Sequence, residues 1–213
     1  MGRCGLRGAV ALALVAILGV HTIGCSDEDQ VPVQPSAALQ NPAPVPVSPV
    51  QALRLLEWIY NHRSIEPYRR LLAADFRFHC PNDSTGTEWR GMPWTREDEL
   101  SFAARFLMGG GGNVQFNLDR NIFVYPDPDH VAWDPTGRWH KSIRSTTTLV
   151  ITSVDGERHE ILGHSSFFLV RGDSAVIAED LVQQGVKPDS TRWYLRRWDD
   201  ETGEWCEIRA RYR

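Results

Sequence analysis

The chain has 213 residues, a formal net charge of −4 and no cluster of Lys and Arg. That is enough for about one domain of roughly 150 residues. It lacks the concentrated positive charge that neutralising phosphates requires, so nucleic acid is excluded as an expected partner. Its four cysteines include no Cys-x-x-Cys pair, which excludes a zinc ribbon and a thioredoxin-type redox site.

The first element is an apolar run from Ala9 to Val20, preceded by Arg3 and Arg7 and followed by Thr22-Ile23-Gly24-Cys25. A basic start, a short apolar middle and small residues at its end read as a secretory signal. The run is 12 residues, against the roughly 20 that a membrane-spanning helix needs. The stretch resembles a bacterial lipoprotein signal. The resemblance implies cleavage after Gly24, removal of residues 1–24, and acylation of Cys25, which anchors the chain to a lipid bilayer. Ser26 is compatible with outer-membrane sorting, so the expected location is the cell envelope, on its periplasmic or its surface face. Cleavage removes two of 23 basic residues and none of the 27 acidic ones, moving the net charge from −4 to −6. Attachment therefore rests on the acyl chains rather than on attraction to anionic lipid.

Residues 25–49 read as a tether holding six of the chain's 13 prolines. Such composition favours extended polyproline geometry and buries too little to fold, and its reach is on the order of 75 Å. Residues 50–213 form the expected folded domain. Leu53, Leu56, Ile59 and Tyr60 recur at helical spacing, widened by Leu55 and Trp58. A short second helix is predicted over Ile65 to Leu72. Asp75 to Cys80 switches to the period of two that a strand requires. Residues 81–93 are loop. Thr95, with Asp98 three residues on, caps a third helix through Met108. From Val114 onward the chain is rich in strands. Val114 to Val124 alternates apolar with polar residues, Ile143 to Val154 and Arg158 to Val170 flank the Asp155-Gly156 turn, and Arg192 to Trp198 follows. Residues 178–191 read as an inserted loop or a short helix, and Trp205 to Tyr212 as a closing strand. Helices followed by antiparallel strands mean an α+β domain.

Within it, Glu57-Trp58-Ile59-Tyr60 and Tyr68-Arg69-Arg70-Leu71-Leu72 lead into Asp75-Phe76-Arg77-Phe78, and Trp94-Thr95-Arg96-Glu97-Asp98-Glu99 opens the third helix. With Trp193-Tyr194-Leu195-Arg196-Arg197-Trp198-Asp199-Asp200, this order of elements and aromatics resembles the nuclear transport factor 2-like (SnoaL-like) superfamily. The resemblance implies a curved antiparallel sheet wrapped round three N-terminal helices, a cone with a pocket at its wide end. Enzymes of that superfamily, such as ketosteroid isomerase, scytalone dehydratase and SnoaL cyclase, place an acid–base residue inside the cone.

Candidates for that role are Asp134, His140, His79 and His164, with Tyr60 as a hydrogen-bond donor; none aligns with a family catalytic position. Each has a plainer reading: His79 and His164 as hydrogen-bonded structural histidines, Asp134 as a turn residue before Pro135-Thr136-Gly137, His140 as an exposed side chain. His159 and His164 are five apart on a strand rather than four apart on a helix, so a zinc site of the HExxH kind is excluded. No metal or cofactor is expected. Trp58, Trp193, Trp198 and Trp205 read as core. Trp89, Trp94, Trp133 and Trp139 lie in or beside loops, where Trp94, Trp133 and Trp139 are candidates to face a ligand. Arg196, Arg197, Arg209 and Arg211 read as partners of acids on the solvent face. Cys80 and Cys206 either pair in an oxidising compartment or stay as buried thiols.

The leading expectation is an envelope lipoprotein whose domain binds a small apolar molecule or a protein partner without catalysis. The alternative is a lyase or isomerase using a pocket Asp or His. A third reading is an adaptor that forms a homodimer through the open face of its sheet.

Overall fold

The computed structural model describes residues 41–81, 94–109, 112–173 and 175–212. Residues 1–24, Cys25 and Trp89 lie outside them. The described residues belong to one compact unit beginning at Asn41.

Helix α1 (Pro49–His62) starts where the Ser48 hydroxyl accepts from the Gln51 N–H and proline fills its first turn. It buries Ala52, Leu53, Leu55, Leu56, Ile59 and Tyr60, the stripe that the spacing predicts. Helix α2 (Ile65–Leu71) runs into β1 (Leu72–His79). After β2 (Trp94–Thr95) comes α3 (Arg96–Met108), closed by the reciprocal Thr95–Asp98 box. Then follow β3 (Asn113–Leu118), β4 (Val124–Pro126), β5 (His140–Thr152) and β6 (Arg158–Arg171). The chain ends with α4 (Glu179–Gln183), β7 (Trp193–Asp200) and α5 (Glu204–Arg211). The sheet order is β2-β1-β7-β6-β5-β3, with β4 also on β5, and the fold is α+β with a curved sheet. All pairs are antiparallel except β1 with β7.

The predicted closing strand at 205–212 is instead helix α5. Asp200 explains the change: its Oδ2 accepts from the N–H groups of Trp205 and Cys206, at 2.9 and 3.1 Å, and starts the helix. Trp205, Ile208 and Arg209 then share one helical face, and all three are buried. Cys80, at the end of β1, is bonded to Cys206 of α5 across a Cα separation of 5.9 Å.

Helix α1 lies along β3 and satisfies its open edge. Glu57 accepts from the Leu118 N–H at 3.0 Å, while Asn61 accepts from the Phe116 N–H and donates to its carbonyl. Residues 41–48, read from sequence as the end of the tether, lie against the domain. The Asn41 carbonyl accepts from the Trp58 indole at 3.0 Å, and the Pro46 carbonyl accepts from the Trp193 N–H at 2.8 Å. One face of the sheet carries the main core with the helices, including Phe116, Phe167, Leu195 and Trp198. On the opposite face Ala73, Val170 and Tyr194 form a small separate cluster, joined by Ala175 and Ile177.

Candidate functional site

Among the described residues, the space between the helices and the sheet is packed with aromatic side chains. Tyr60, Tyr68, Phe76, Phe102, Phe116, Phe167, Trp198 and Trp205 are buried there, joined by the charged pair Glu99 and Arg209. Glu99, on α3, accepts from Arg209 twice, at 2.8 and 2.7 Å, from the Tyr68 hydroxyl at 2.6 Å and from the Trp94 indole at 2.9 Å. Four donors saturate the lone pairs of one carboxylate. The Arg209 guanidinium lies 3.6 Å from the Phe78 ring centroid and 4.7 Å from that of Trp198, a stacking geometry that suits a weakly hydrated, delocalised cation. Burial pushes the Tyr60 and Tyr68 hydroxyls well above the ordinary phenol range, and the charge of Glu99 adds to it. Tyr60, the expected pocket donor, is therefore enclosed among rings rather than open to a ligand. Trp94, read as lying in or beside a loop and as a candidate to face a ligand, is buried in β2 with its N–H on Glu99.

The acid–base candidates Asp134 and His140 lie on the other face of the sheet. His140 pairs across the strands with Val170, a member of the small cluster, so it points away from the main core. It is buried beneath residues 127–139, which fold back over that face. Its ring stacks on His130 with centroids 4.0 Å apart and planes 8° apart, and Trp133 meets its edge at 4.8 Å. His130 Nε2 lies 3.0 Å from an Arg196 N–H, and His130 Nδ1 lies 2.8 Å from Asp127. Arginine can only donate, so Nε2 accepts and the His130 proton sits on Nδ1, toward Asp127. Arg196 also holds Asp75, at 2.7 Å. Beside this chain, Arg197 joins Asp129 to Asp199, and Asp199 holds His79.

Burial lowers the His140 pKa, and the neighbouring His130 ring and Arg196 guanidinium lower it further. Burial alone would raise Asp134, but the N–H groups of Trp139, His140 and Arg138 donate to its carboxylate and bring its pKa below the ordinary range. Asp134 thus fastens a turn, its plainer reading, while His140 is buried rather than exposed. His164 is exposed on a strand and contacts Thr146. Trp133 is 59% exposed, and Trp139 is half-buried with Arg138 over its ring.

The sequence reading named Asp134, His140 and Trp133 separately, and the structure brings them together. His130, Asp127 and Asp75, which complete the cluster, are not singled out by the sequence, whereas Arg196, read as the partner of an acid, pairs with Asp75. The Asp127-x-x-His130 spacing is a signal in the chain, but Asp75 and Arg196 join only through the sheet. Arg209, placed by pattern on the solvent face, is buried against Glu99. Among the described residues, no group of three His, Cys, Asp or Glu could hold a metal ion, and no helix is long and apolar enough to cross a membrane.

A separate cleft of about 330 Å³ opens between residues 43–46, α1, α2 and the start of β7. Pro44, Val45, Pro46, Leu55, Leu71 and Tyr194 make its wall, with Arg70 and Arg192 also lining it. Its size falls at the lower end of the range for small-molecule sites.

No family model and no curated protein matches the chain. Similar solved structures include a conserved protein from Planctomyces limnophilus, 13% identical, covering 70% of this chain and 89% of that one with a TM-score of 0.47. Aln2 from a Streptomyces species is 16% identical, with coverages of 83% and 98% and a TM-score of 0.47. A nuclear transport factor 2-like superfamily protein from Salmonella enterica is 13% identical, with coverages of 71% and 85% and a TM-score of 0.43.

Proposed function

We propose that this chain is a lipid-anchored protein of the bacterial cell envelope whose nuclear transport factor 2-like domain binds a small apolar molecule or a protein partner without catalysis. The saturated Glu99 carboxylate carries the reading. A general acid or base needs a free lone pair or proton within reach of its substrate, and Glu99 spends its acceptors on Tyr68, Trp94 and Arg209. Asp134 is likewise occupied by backbone N–H groups, and His140 is covered by Trp133 and His130. The proline-walled cleft beside Tyr194 is the proposed seat of a small apolar ligand. The signal ending in Gly24-Cys25 supports the anchor.

Three measurements test this. Labelled palmitate should enter the wild-type protein and not Cys25→Ala. A native mass spectrum of the gently purified mature chain should retain an extra mass that Leu71→Trp, which fills the cleft, abolishes. A spectrum at twice the chain mass would assign pairing through the open sheet face instead. Turnover of a carbonyl or steroid-like substrate that His140→Gln or Asp134→Asn abolishes would overturn the non-catalytic reading.

A further inference from the structure

The stretch from Asp119 to Trp139 keeps its acids bonded and leaves several large apolar side chains exposed. All four of its acids are engaged. Asp119 accepts from the Asn121 N–H, Asp127 holds His130, Asp129 holds Arg197, and Asp134 takes the backbone of residues 138–140. Asp127 and Asp134 are buried, at 3% and 4% exposure. Ile122 and Val124 of the same stretch pack against the main core, while four other large apolar side chains are exposed: Phe123 at 67%, Tyr125 at 55%, Val131 at 49% and Trp133 at 59%. Among the described residues these are the three exposed aromatic side chains, so their clustering in eleven residues is not a scatter of single surface hydrophobes. Tyr125 and Trp133 also share a face. Tyr125 pairs across the strands with Ser142, two residues from His140, on whose ring edge Trp133 rests. Phe123 directly precedes β4, two residues before Tyr125.

The occupant is indicated by where the chain leaves the domain. Asn41, its first described residue, is held by Trp58, and the Asp119 carbonyl is held by Arg54. Arg54 and Trp58 are four apart on α1, so their Cβ atoms are neighbours about 6 Å apart on one helix face. Asn41 and the start of the aromatic stretch are thus both fastened to the same helix. Fifteen residues, Ser26 to Gln40, separate the lipidation residue from Asn41, a reach of about 50 Å if extended. Phe, Tyr and Trp with no unpaired carboxylate among them fit the interfacial layer of a bilayer, where aromatic rings partition with their polar edges toward water. A patch this small holds a free protein weakly. Tethering converts its contact into an intramolecular event at an effective concentration of about millimolar.

We infer that Phe123, Tyr125, Val131 and Trp133 form a bilayer-contact surface, on which the anchored domain rests with its β4–β5 side against the lipid. The inference rests on the lipid-anchor reading, so its test supplies the anchor independently. The mature chain, with a histidine tag in place of Cys25, is held on phosphatidylcholine vesicles containing nickel-chelating lipid, with and without brominated acyl chains. Bromine quenches tryptophans at the interface. The expected result is a fall in emission near the share of one tryptophan in eight, abolished in Trp133→Gln and reduced in Phe123→Ser/Tyr125→Ser. Equal emission from the two kinds of vesicle overturns the inference, as does quenching that survives in Trp133→Gln. A dimer in sedimentation of the unanchored chain that Trp133→Gln returns to monomer assigns the surface to a second copy and also overturns it. Absence of palmitate labelling at Cys25 would refute the natural anchor while leaving this measurement readable.

Discussion

Glu99 and Arg209 bind the α3 and α5 helices through charge in a place where charge is costly. Removing one partner of a buried pair leaves the other uncompensated, typically a loss of about 3–5 kcal/mol. Glu99→Gln should therefore lower the urea-unfolding free energy by about 3 kcal/mol, and Glu99→Leu/Arg209→Met should recover much of it. Equal losses in the single and double variants would contradict the pairing. His140 gives a pH dependence whose sign follows from its lowered pKa. On acidification the unfolded chain takes up the proton before the folded one. The contribution is fully present above the ordinary imidazole value, roughly 6.5, and declines as pH falls from there toward the folded value. One such group changes stability by at most about 1.4 kcal/mol per pH unit. Urea midpoints at about pH 7.5 and about pH 5.5, either side of that imidazole value, should differ less in His140→Gln than in the wild type. Asp134, also lowered, adds a loss of the same sign at lower pH, below the ordinary carboxylate value. These residue roles were partly legible. Asp134-Pro135-Thr136-Gly137 reads as a turn because a short carboxylate before Pro and Gly caps backbone N–H groups. Nothing local marks Arg209 as buried, since its partner is 110 residues away.

At the scale of elements, α1, α2 and α3 are readable because apolar periodicity and caps are local. Helix α5 misleads because Trp205, Glu207, Arg209 and Arg211 alternate as a strand would, while Trp205, Ile208, Arg209 and Tyr212 fit a helix equally well. The Asp200 cap decides between them. The bond from β1 to α5 encloses nearly the whole sheet, spanning 126 positions. Closing a loop of that length restricts the unfolded chain strongly, and a typical stabilisation is about 2–4 kcal/mol. Cys80→Ala/Cys206→Ala should lower the melting temperature by about 4–15 °C, on the usual scaling for a domain of this size. An unchanged melting curve under reducing conditions would show that helix α5 is held by packing alone.

For the molecule as a whole, element order carries the architecture. Three helices and then a run of strands have few ways to close on one core, so the α+β class is legible without knowing any contact. The parallel β1–β7 pair and the loop over the outer face are not legible, because each joins residues more than 60 positions apart. The Asn41 and Pro46 carbonyls, pinned by Trp58 and Trp193, have a mechanical consequence. A pull on the N-terminus first meets these two clasps, one on a helix and one at the start of the central strand β7. Tension is thereby shared with the sheet before it reaches the first turn of α1, and the domain is gripped at its middle rather than unravelled from its end.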